Sequence, residues 1–202
     1  MFGQWSLAQS PKGKIVTRIS YGECKNLILN VHYAKRMPSI SFAYGLFENG
    51  FMQGIVTYGS PASPSLCKGV CGPSYQNSVI ELNRLVLVNN KKNEASFLVG
   101  HSLRMLPKYK IVVSYADTKQ GHIGFVYQAT NWIYTGLTAR RTDMAGKKGS
   151  HSRHSHNNPN NRVERSSKHR YVFFLGSKKE KRDAKKCLQY SAQPYPKIKS
   201  NA

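Results

Sequence analysis

The sequence predicts an α/β fold in which a mixed, twisted central sheet is flanked by helices. Residues 79–138 alternate strand-like and helix-like segments, the order expected when helices join the strands of one sheet. A chain of 202 residues suits a single domain, and 40% hydrophobic residues are enough to form a core. No run of about eighteen apolar residues occurs, so we expect neither a membrane-spanning helix nor a membrane partner.

The first third of the chain is predicted to form short strands joined by tight turns. Glu48-Asn49-Gly50 is a hairpin-turn signal between two runs rich in aromatic and β-branched residues. The predicted strands are residues 14–19, 27–31, 40–47 and 51–58, with a polar segment at 32–38. Residues 59–77 are rich in Ser, Pro and Gly, so we expect an irregular loop on the surface or over a site.

The middle of the chain carries the strongest secondary-structure pattern. Residues 79–88 are apolar and β-prone, which favours a central strand. Residues 94–106 place Phe97, Leu98 and Leu103 at near-helical spacing and stop before a proline, which predicts a helix. The remaining elements are a short buried strand at 111–114, a helix at 122–130, strands at 132–138 and 169–175, and a basic helix at 178–188.

The formal net charge of +22 indicates a polyanionic partner. Residues 1–138 hold 14 Lys and Arg against 5 Asp and Glu, whereas residues 139–202 hold 17 against 4. Nucleic acid is the commonest polyanion, and a ribosomal or packaging protein would carry a similar surplus. The charge therefore disfavours an enzyme that acts only on a small neutral metabolite.

The most basic segment, residues 142–167, has almost no apolar residues and lies between two predicted strands. We therefore expect one domain over residues 1–202, with a long flexible loop inserted in its C-terminal hairpin and a tail at 189–202. The excess of positive charge in this loop argues that it binds DNA phosphates and is not merely solvated. The candidate contacts with double-stranded DNA are Arg140, Arg141, Lys147, Lys148, Arg153, Arg162 and Arg165.

Carboxylates are scarce, so few are available for acid–base chemistry. Those before residue 139 are Glu23, Glu48, Glu81, Glu94 and Asp117. Asp117 follows a predicted strand, where ligands of open α/β sheets bind, so residues 114–117 are the first candidate for a site. Asp117 could instead cap the following turn. Glu81 is either a site carboxylate or a solvated acid, and strand alternation places it with Asn83 on one face and Arg84 on the other.

Several common site motifs do not occur. The sequence has neither G-x-x-x-x-G-K-[ST] nor a G-x-G-x-x-G after a strand, which disfavours a P-loop ATPase and a dinucleotide-binding fold. Cys67 and Cys71 have the wrong spacing for a zinc knuckle, and no second pair follows them. The histidines of residues 151–156 are more typical of a polyanion contact than of a metal site.

Four segments of the chain together resemble one protein family. They are V-I-E-L-N-R-L-V-L-V at 79–88, S-Y-A-D at 114–117, G-F-V-Y-Q-A-T-N-W-I-Y-T-G at 124–136 and P-Y-P-K at 194–197. Through them the chain is similar to the Mom family of phage DNA-modification proteins. This resemblance implies a GNAT-like acyltransferase fold and conversion of adenine in phage DNA to N6-carbamoylmethyladenine, which protects that DNA from host restriction. It also implies that the protein acts in the cytoplasm of an infected bacterium.

The resemblance further implies which residues form the site. The expected site side chains are His32, Tyr33, Tyr58, Arg84, Ser114, Asp117 and Tyr127. Iron is an implied metal, for which His32 and Tyr33 would be the ligands. An acetyl-CoA-like donor is implied as well, with contacts from Val86, Leu87, Val88, Lys91, Lys92, Asn93 and Asn131. Residues 89–93, N-N-K-K-N, stand where acyltransferases have a glycine-rich pyrophosphate loop, a departure that argues against ordinary CoA binding.

These observations lead to a mechanistic hypothesis. The N6 amine of adenine is held in a base pair, so the target base must leave the stack. Asp117 is then the expected proton acceptor, while Ser114 and Tyr127 hold the donor or protonate a leaving group. The aromatic candidates for stacking on the base are Tyr115, Phe125, Tyr127 and Trp132. The alternatives are an acyltransferase acting on a protein or a small molecule, and a non-catalytic basic DNA-binding protein.

Overall fold

The computed structural model describes residues 13–108, 110–144 and 162–197. Its strands are β1 (Lys14–Arg18), β2 (Phe42–Glu48), β3 (Phe51–Gly59), β4 (Val79–Leu87), β5 (Ile111–Asp117), β6 (Ile133–Leu137), β7 (Arg141–Met144), β8 (Arg162–Arg165) and β9 (Lys168–Phe174). Its α-helices are α1 (Tyr21–Asn26), α2 (Pro64–Cys71), α3 (Glu94–Met105), α4 (Phe125–Ala129) and α5 (Lys178–Lys186). The predicted α/β order is therefore present.

The main sheet has seven strands in the order β1-β2-β3-β4-β5-β9-β6. β4 and β5 pair in parallel, and the other neighbouring strands of this sheet pair antiparallel. β4 is the middle strand, which confirms its predicted central place. The β2–β3 hairpin turns at Asn49 and Gly50, whose φ angles of 51° and 81° are those of a tight left-handed turn.

β4 and β5 separate before either of them ends. Their pairing runs from Val79 opposite Ile111 to Leu82 opposite Ser114, after which β4 continues to Leu87 and β5 to Asp117. The two carboxyl ends therefore diverge and leave a cleft in the middle of the sheet. Clefts at the carboxyl ends of parallel strands are the usual ligand sites of open α/β sheets.

The two faces of the sheet are packed differently. One face, here called the α3 face, is covered by α3 and α4 and buries a continuous cluster that includes Val56, Leu98 and Trp132. The other face, here called the cleft face, carries two separate clusters, one under α1 around Ile28 and one under α2 and α5 around Val113. Burial of apolar side chains stabilises both faces, but on the cleft face the apolar cover is interrupted.

Two predicted elements of the first third are wrong. Residues 27–31 continue α1 as a π-helical turn and do not form a strand. α1 begins at a capping box in which the Ser20 hydroxyl and the Glu23 carboxylate each satisfy the other's backbone N–H, and this local signal outweighs the β-prone residues that follow. The predicted loop 59–77 contains α2, which has a proline in its first turn, and a 3₁₀ helix, Pro73–Ser78.

The C-terminal part of the fold matches its prediction more closely. β6 and β9 are antiparallel neighbours, and the chain between them carries the two-stranded sheet of β7 and β8, here called the ribbon. The inserted basic segment therefore begins and ends as a β-ribbon, and its residues 145–161 lie outside the described part of the chain. Residues 189–197, expected to be a tail, pack on the domain: the Tyr195 hydroxyl donates to the Trp132 carbonyl over 2.6 Å. Within the described residues, no helix has the length and apolar character needed to cross a membrane.

Candidate active site

The cleft between β4 and β5 brings together most of the predicted site residues. β5 extends three residues beyond its predicted end at 114, so Ser114 and Asp117 both lie on the strand. Successive side chains of this strand point to opposite faces. Ser114 accordingly points to the α3 face and Tyr115 to the cleft face.

A β-bulge in β4 decides which side chains share the cleft face. Thr57 of β3 pairs with Arg84, and Tyr58 pairs with Leu82, so Asn83 is an extra residue on β4. Its side chain is held by the Thr57 hydroxyl at 2.6 Å and by the Ser39 carbonyl at 2.7 Å. The extra residue reverses the alternation, so the prediction that Glu81 and Arg84 lie on opposite faces is wrong. Bulges commonly re-aim side chains beside active sites.

The Arg84 guanidinium is fixed by backbone carbonyls. It donates to the Arg36 carbonyl from Nε over 3.3 Å and from Nη2 over 2.8 Å, and to the Asn83 carbonyl over 2.6 Å. Burial lowers the pKa of Arg84 from its ordinary value, with a further decrease from the Arg36 charge. The group nevertheless stays charged at neutral pH, because an arginine side chain is effectively always protonated in proteins.

Asp117 is surrounded by hydrogen-bond donors. Its carboxylate accepts from Lys168 Nζ over 2.6 Å, from the Ser166 hydroxyl over 2.5 Å and from the Lys119 N–H over 3.0 Å. Burial raises the pKa of Asp117, but the bonds from Lys168 and Ser166 together outweigh it and hold the pKa below its ordinary value. Asp117 also caps the 3₁₀ turn Thr118–Gln120, so the capping role considered from the sequence is present.

Glu81 has a different environment in the same cleft. Burial raises the pKa of Glu81, and this effect exceeds the opposite influence of Arg84, of the Ala62 N–H and of Lys168 and Arg165. The two carboxylates of the cleft are therefore shifted in opposite directions. Environments that push the pKa values of neighbouring acids apart are typical of sites that use them for different roles.

On the α3 face, the divergence of β4 and β5 carries a buried pair of hydroxyl groups. Ser114 Oγ lies 2.7 Å from Tyr127 Oη of α4 and 2.9 Å from the Leu82 carbonyl. The single serine hydrogen serves one acceptor at a time, so Tyr127 can donate to Ser114 while Ser114 donates to Leu82. Tyr58 lies deeper: it is fully buried and shares a 2.6 Å hydrogen bond with Ser102 of α3. Burial raises the pKa of both tyrosines, so both are neutral at physiological pH.

An aromatic group lies at the mouth of the cleft. His32 and Tyr33 stack with ring centroids 4.3 Å apart, and His122 meets Tyr33 edge-on at 6.1 Å. Burial and the charge of Arg84 lower the pKa of His32 to about 4, so this ring is neutral at physiological pH. Tyr33 is 48% exposed. It therefore offers an accessible ring face, whereas Tyr127 and Trp132, two of the stacking candidates from the sequence, are buried in the core.

The described residues do not complete a metal site around His32 and Tyr33. No group of three or more His, Cys, Asp or Glu side chains is placed to hold a metal ion in residues 13–108, 110–144 and 162–197. His32 Nδ1 accepts the Ala34 N–H over 3.0 Å, which leaves one ring nitrogen available. Asp117, the carboxylate whose charge reaches Tyr33, is neutralised by Lys168. Within the described residues, His32 and Tyr33 by themselves therefore do not make up a complete iron site.

The glycine-free loop before α3 adopts the backbone conformation that glycine usually supplies. Asn90 and Asn93 have φ angles of 45° and 66°, a left-handed region that asparagine tolerates better than most residues. In the first turn of α3, the N–H groups of Ala95 and Ser96 have no partner among the described residues. Free N–H groups at a helix N-terminus favour an anion such as phosphate.

A cavity of about 690 Å³ extends along α3 from this N-terminus. Two of the predicted cofactor contacts, Asn93 and Asn131, line it together with the basic side chains of Arg104 and Lys181. The other predicted contacts lie elsewhere. Val86 is buried under α1, Leu87 packs on the α3 face, Val88 and Lys92 are exposed, and Lys91 forms an ion pair with Glu48 over 2.8 Å.

The predicted DNA contacts fall into two groups. Arg140, Arg141 and Arg165 are exposed at the base of the ribbon, where Arg141 pairs in register with Arg165. The charges of Arg141 and Arg165 reach the cleft, since Arg141 influences the pKa of Tyr115 and Arg165 influences the pKa of Glu81. Arg162 begins β8, and Lys147, Lys148 and Arg153 lie outside the described residues.

Sequence reasoning missed several residues of the cleft. Lys168 was not singled out from the sequence, and His122 was predicted only to begin a helix. That helix, α4, begins later than predicted because Gly124 has a left-handed φ of 86° and packs against the Tyr171 ring. Lys168 lies 51 positions from Asp117 in sequence, so only the β5–β9 pairing brings the two together.

Comparison with known proteins gives a consistent result. The model of the Mom protein family matches residues 14–197. The methylcarbamoylase Mom of Escherichia phage Mu is 26% identical over 204 residues, covering 90% of this chain and 83% of the phage protein. Among solved structures, a putative acetyltransferase from Salmonella typhimurium with its cofactor acetyl-CoA has 11% identity and a TM-score of 0.50, over 82% of this chain and 95% of that one. Arabidopsis thaliana Naa50 with a CoA-containing bisubstrate analogue has 10% identity and a TM-score of 0.50, over 81% and 99%. The predicted acetyltransferase-like fold is thereby confirmed.

Proposed function

The chain belongs to the Mom protein family, and from this we propose that it is a DNA-modifying transferase that converts adenine in phage DNA to N6-carbamoylmethyladenine. The observation that carries the proposal is the family match along residues 14–197, which include every described residue of the cleft. The modification would block host restriction endonucleases, which places the activity in the cytoplasm of the infected cell. The high positive charge suits a DNA substrate.

An acyl-CoA-like molecule is the donor class that the fold favours. The free N–H groups of Ala95 and Ser96 would hold its pyrophosphate, and the cavity beside α3, with Arg104 and Lys181, would hold the rest of the nucleotide. Attack of N6 on a thioester carbonyl would give an N6-acyl adenine, so the carbamoylmethyl product requires that N6 bonds to a methylene carbon of the donor and that the leaving group departs from that carbon. Tyr127, neutral and hydrogen-bonded to Ser114, is placed between α4 and β5 to protonate that leaving group or to hold the donor.

The target adenine enters from the cleft face. Taking it out of the duplex costs a few kcal/mol, which stacking on an aromatic ring offsets in part. Tyr33 is the ring placed for this role, because it is 48% exposed, is backed by His32 and lies at the mouth of the cleft. Arg84 is fixed by the Arg36 carbonyl and orders the same wall of the cleft.

The ribbon is the element proposed to contact the duplex. A two-stranded β-ribbon fits the major groove, and Arg141 and Arg165 lie side by side at its base next to the cleft. Their contacts with phosphates would bind DNA without selecting a sequence, and the affinity would fall as salt concentration rises. The predicted role of Asp117 as the proton acceptor stays a prediction, and the Lys168 ion pair that lowers its basicity weighs against it.

The proposal is tested by expressing the chain in bacteria that carry a plasmid and digesting the plasmid DNA to nucleosides. Mass spectrometry should detect an adenosine species heavier by one carbamoylmethyl group, and it should be missing from cells with an empty vector. Folded protein with unmodified DNA would contradict the proposal. Acetylation of a protein or of a small molecule in the same cells would instead favour an acyltransferase with another substrate.

A further inference from the structure

We propose that Glu81 is the catalytic residue that accepts the proton of the adenine N6 amine. This proposal rests on the function proposed above and names the base that the reaction requires. It assigns to the central strand β4 a role that sequence reasoning gave to Asp117 at the end of β5.

The placement of Glu81 is the first support. It lies opposite Val113, one residue before the last β4–β5 pair, and so borders the point where the strands diverge. The bulge at Asn83 turns Arg84 to the same face, and the charges of Lys168 and Arg165 reach this carboxylate from β9 and β8. Glu81 therefore shares the cleft face with Arg84, beside the point where β4 and β5 diverge.

The free hydrogen-bonding capacity of Glu81 is the second support. Asp117 already accepts hydrogen bonds from Lys168, Ser166 and Lys119. Within the described parts of the chain, the donor to Glu81 is the backbone N–H of Ala62. A carboxylate has two oxygens and about four acceptor positions. Glu81 thus keeps an oxygen available for the amine, whereas Asp117 is largely saturated.

The electrostatic environment suits a base. Burial raises the pKa of Glu81, so its carboxylate is a stronger proton acceptor than an exposed one, while Asp117 is shifted in the opposite direction. General bases work best when their pKa approaches the working pH. The titratable and charged groups around Glu81 are Arg84 on β4, Tyr115 on β5, Lys168 on β9, Arg165 on β8, Tyr127 on α4 and Cys67 on α2.

The proposed step is balanced in atoms and electrons. The N6 nitrogen forms one bond to the methylene carbon of a carbamoylmethyl group on the donor, and the bond from this carbon to the leaving group breaks. The electron pair of the broken bond departs with the leaving group, and one N6 proton passes to the Glu81 carboxylate. No oxidant or reductant takes part.

The test compares Glu81→Gln with Asp117→Asn and with a distant control, Asp183→Asn on the exposed side of α5. Each variant is expressed in plasmid-bearing bacteria, and modified adenosine is measured by mass spectrometry with soluble protein and melting temperature alongside. E81Q should lose at least about 100-fold in modified adenosine, D117N should keep more than about a tenth, and the control should match the wild type. Equal modification by E81Q and the wild type would overturn the proposal.

A pH profile separates a chemical role from a structural one. Clarified lysate of the expressing bacteria supplies the donor, and added plasmid DNA is the substrate at pH values from about 5 to 9. Wild-type initial rates should rise with pH and level off once Glu81 is ionised, and the residual rate of E81Q should lack this rise. A rise retained in E81Q would overturn the proposal.

A second variant covers the case in which E81Q does not fold. Glu81→Asp keeps the carboxylate on a shorter side chain and should retain part of the activity together with the rise at low pH. Loss of this rise in folded E81D would contradict the assignment. Failure of the proposed function is distinguishable, because the wild type itself would then leave adenine unmodified.

Discussion

The two sides of the β4–β5 divergence differ in what fills them. On the α3 face, helices α3 and α4 close over a continuous apolar cluster, and the polar groups there, such as Ser114 with Tyr127, satisfy one another. On the cleft face, the clusters under α1 and α2 leave a gap that holds Glu81, Arg84 and Asp117.

Because of this difference, we expect the α3 face to contribute mainly to stability and the cleft face mainly to activity. A buried, closely packed side is costly to alter, because a change leaves a cavity or unpairs a hydrogen bond such as that of Ser114 with Tyr127. An interrupted side contributes less to folding, and its charged residues Glu81 and Arg84 are only partly buried. We therefore expect substitutions near α3 to lower the free energy of unfolding and substitutions on the cleft face to lower activity while the fold remains.

The largest expected effect is on the α3 side, at the buried carboxylate that opens α3. Glu94 is 1% exposed and pairs with Lys14 over 2.7 Å. Glu94→Gln should lower the free energy of unfolding in urea by about 3 kcal/mol, because Lys14 loses its close, buried partner and keeps only Glu48 at 3.7 Å. The matched control is Asp183→Asn, whose exposed pair with Arg182 should contribute far less. Equal losses of unfolding free energy in the two variants would contradict the proposed difference between the buried α3 side and the exposed surface.

The next effect belongs to the cleft face. Arg84→Lys keeps the charge but cannot make the two bonds to the Arg36 carbonyl. Modified adenosine should fall about 100-fold, comparable to the loss of one preorganised donor in an active site. The melting temperature should stay near that of the wild type, as should both properties of the exposed control Arg182→Lys on α5. A large loss of stability in Arg84→Lys would instead make this arginine structural.

A smaller effect is expected where the ribbon meets the cleft. Replacing Arg141 and Arg165 together by Ala should weaken binding of a fluorescent DNA duplex about tenfold and reduce the salt slope by about two. The control replaces Lys178 and Lys186 of α5 by Ala, which removes the same charge. α5 follows the end of β9 that is opposite to the end paired with Asp117. If both double variants weaken binding equally, DNA contact is spread over the basic surface and is not concentrated beside the cleft.

The smallest effect concerns the loop before α3. Asn90 is exposed and has a φ of 45°, so Asn90→Ala should cost about 1 kcal/mol in urea unfolding, whereas Asn90→Gly should be near neutral. Asn89→Ala, at a neighbouring exposed position without a left-handed φ, is the control. Equal stability of the two Asn90 variants would show that the left-handed conformation is not required in this glycine-free loop.

Much of the fold was predictable because its signals are local. The Glu48-Asn49-Gly50 turn specified the β2–β3 hairpin, and the apolar run of β4 specified the central strand. Local signals also explain the failure at residues 27–31. The Ser20–Glu23 capping box starts a helix that carries Leu27 and Ile28 onto the sheet, and apolar runs of this length fit a helix as well as a strand.

The candidate site was predictable only in part. Seven site residues were expected from the resemblance. Tyr58 lies deeper, buried beside Ser102, and the other six lie at the divergence of β4 and β5: His32, Tyr33, Arg84, Ser114, Asp117 and Tyr127. The faces to which the β4 side chains point were not predicted correctly. Alternation of side chains assumes a regular strand, and the bulge at Asn83 shifts that alternation by one residue.

By itself, the sequence determined the family, the excess of positive charge and the order of strands and helices, because these depend on residue identity and local pattern. Only the tertiary structure decided how the two acids of the cleft differ. Asp117 receives Lys168 from a strand 51 positions away, whereas Glu81 lies half-buried with one backbone donor in the described chain. Proton affinity depends on burial and on neighbouring charges in space, and the spacing of residues along the chain does not reveal either of them.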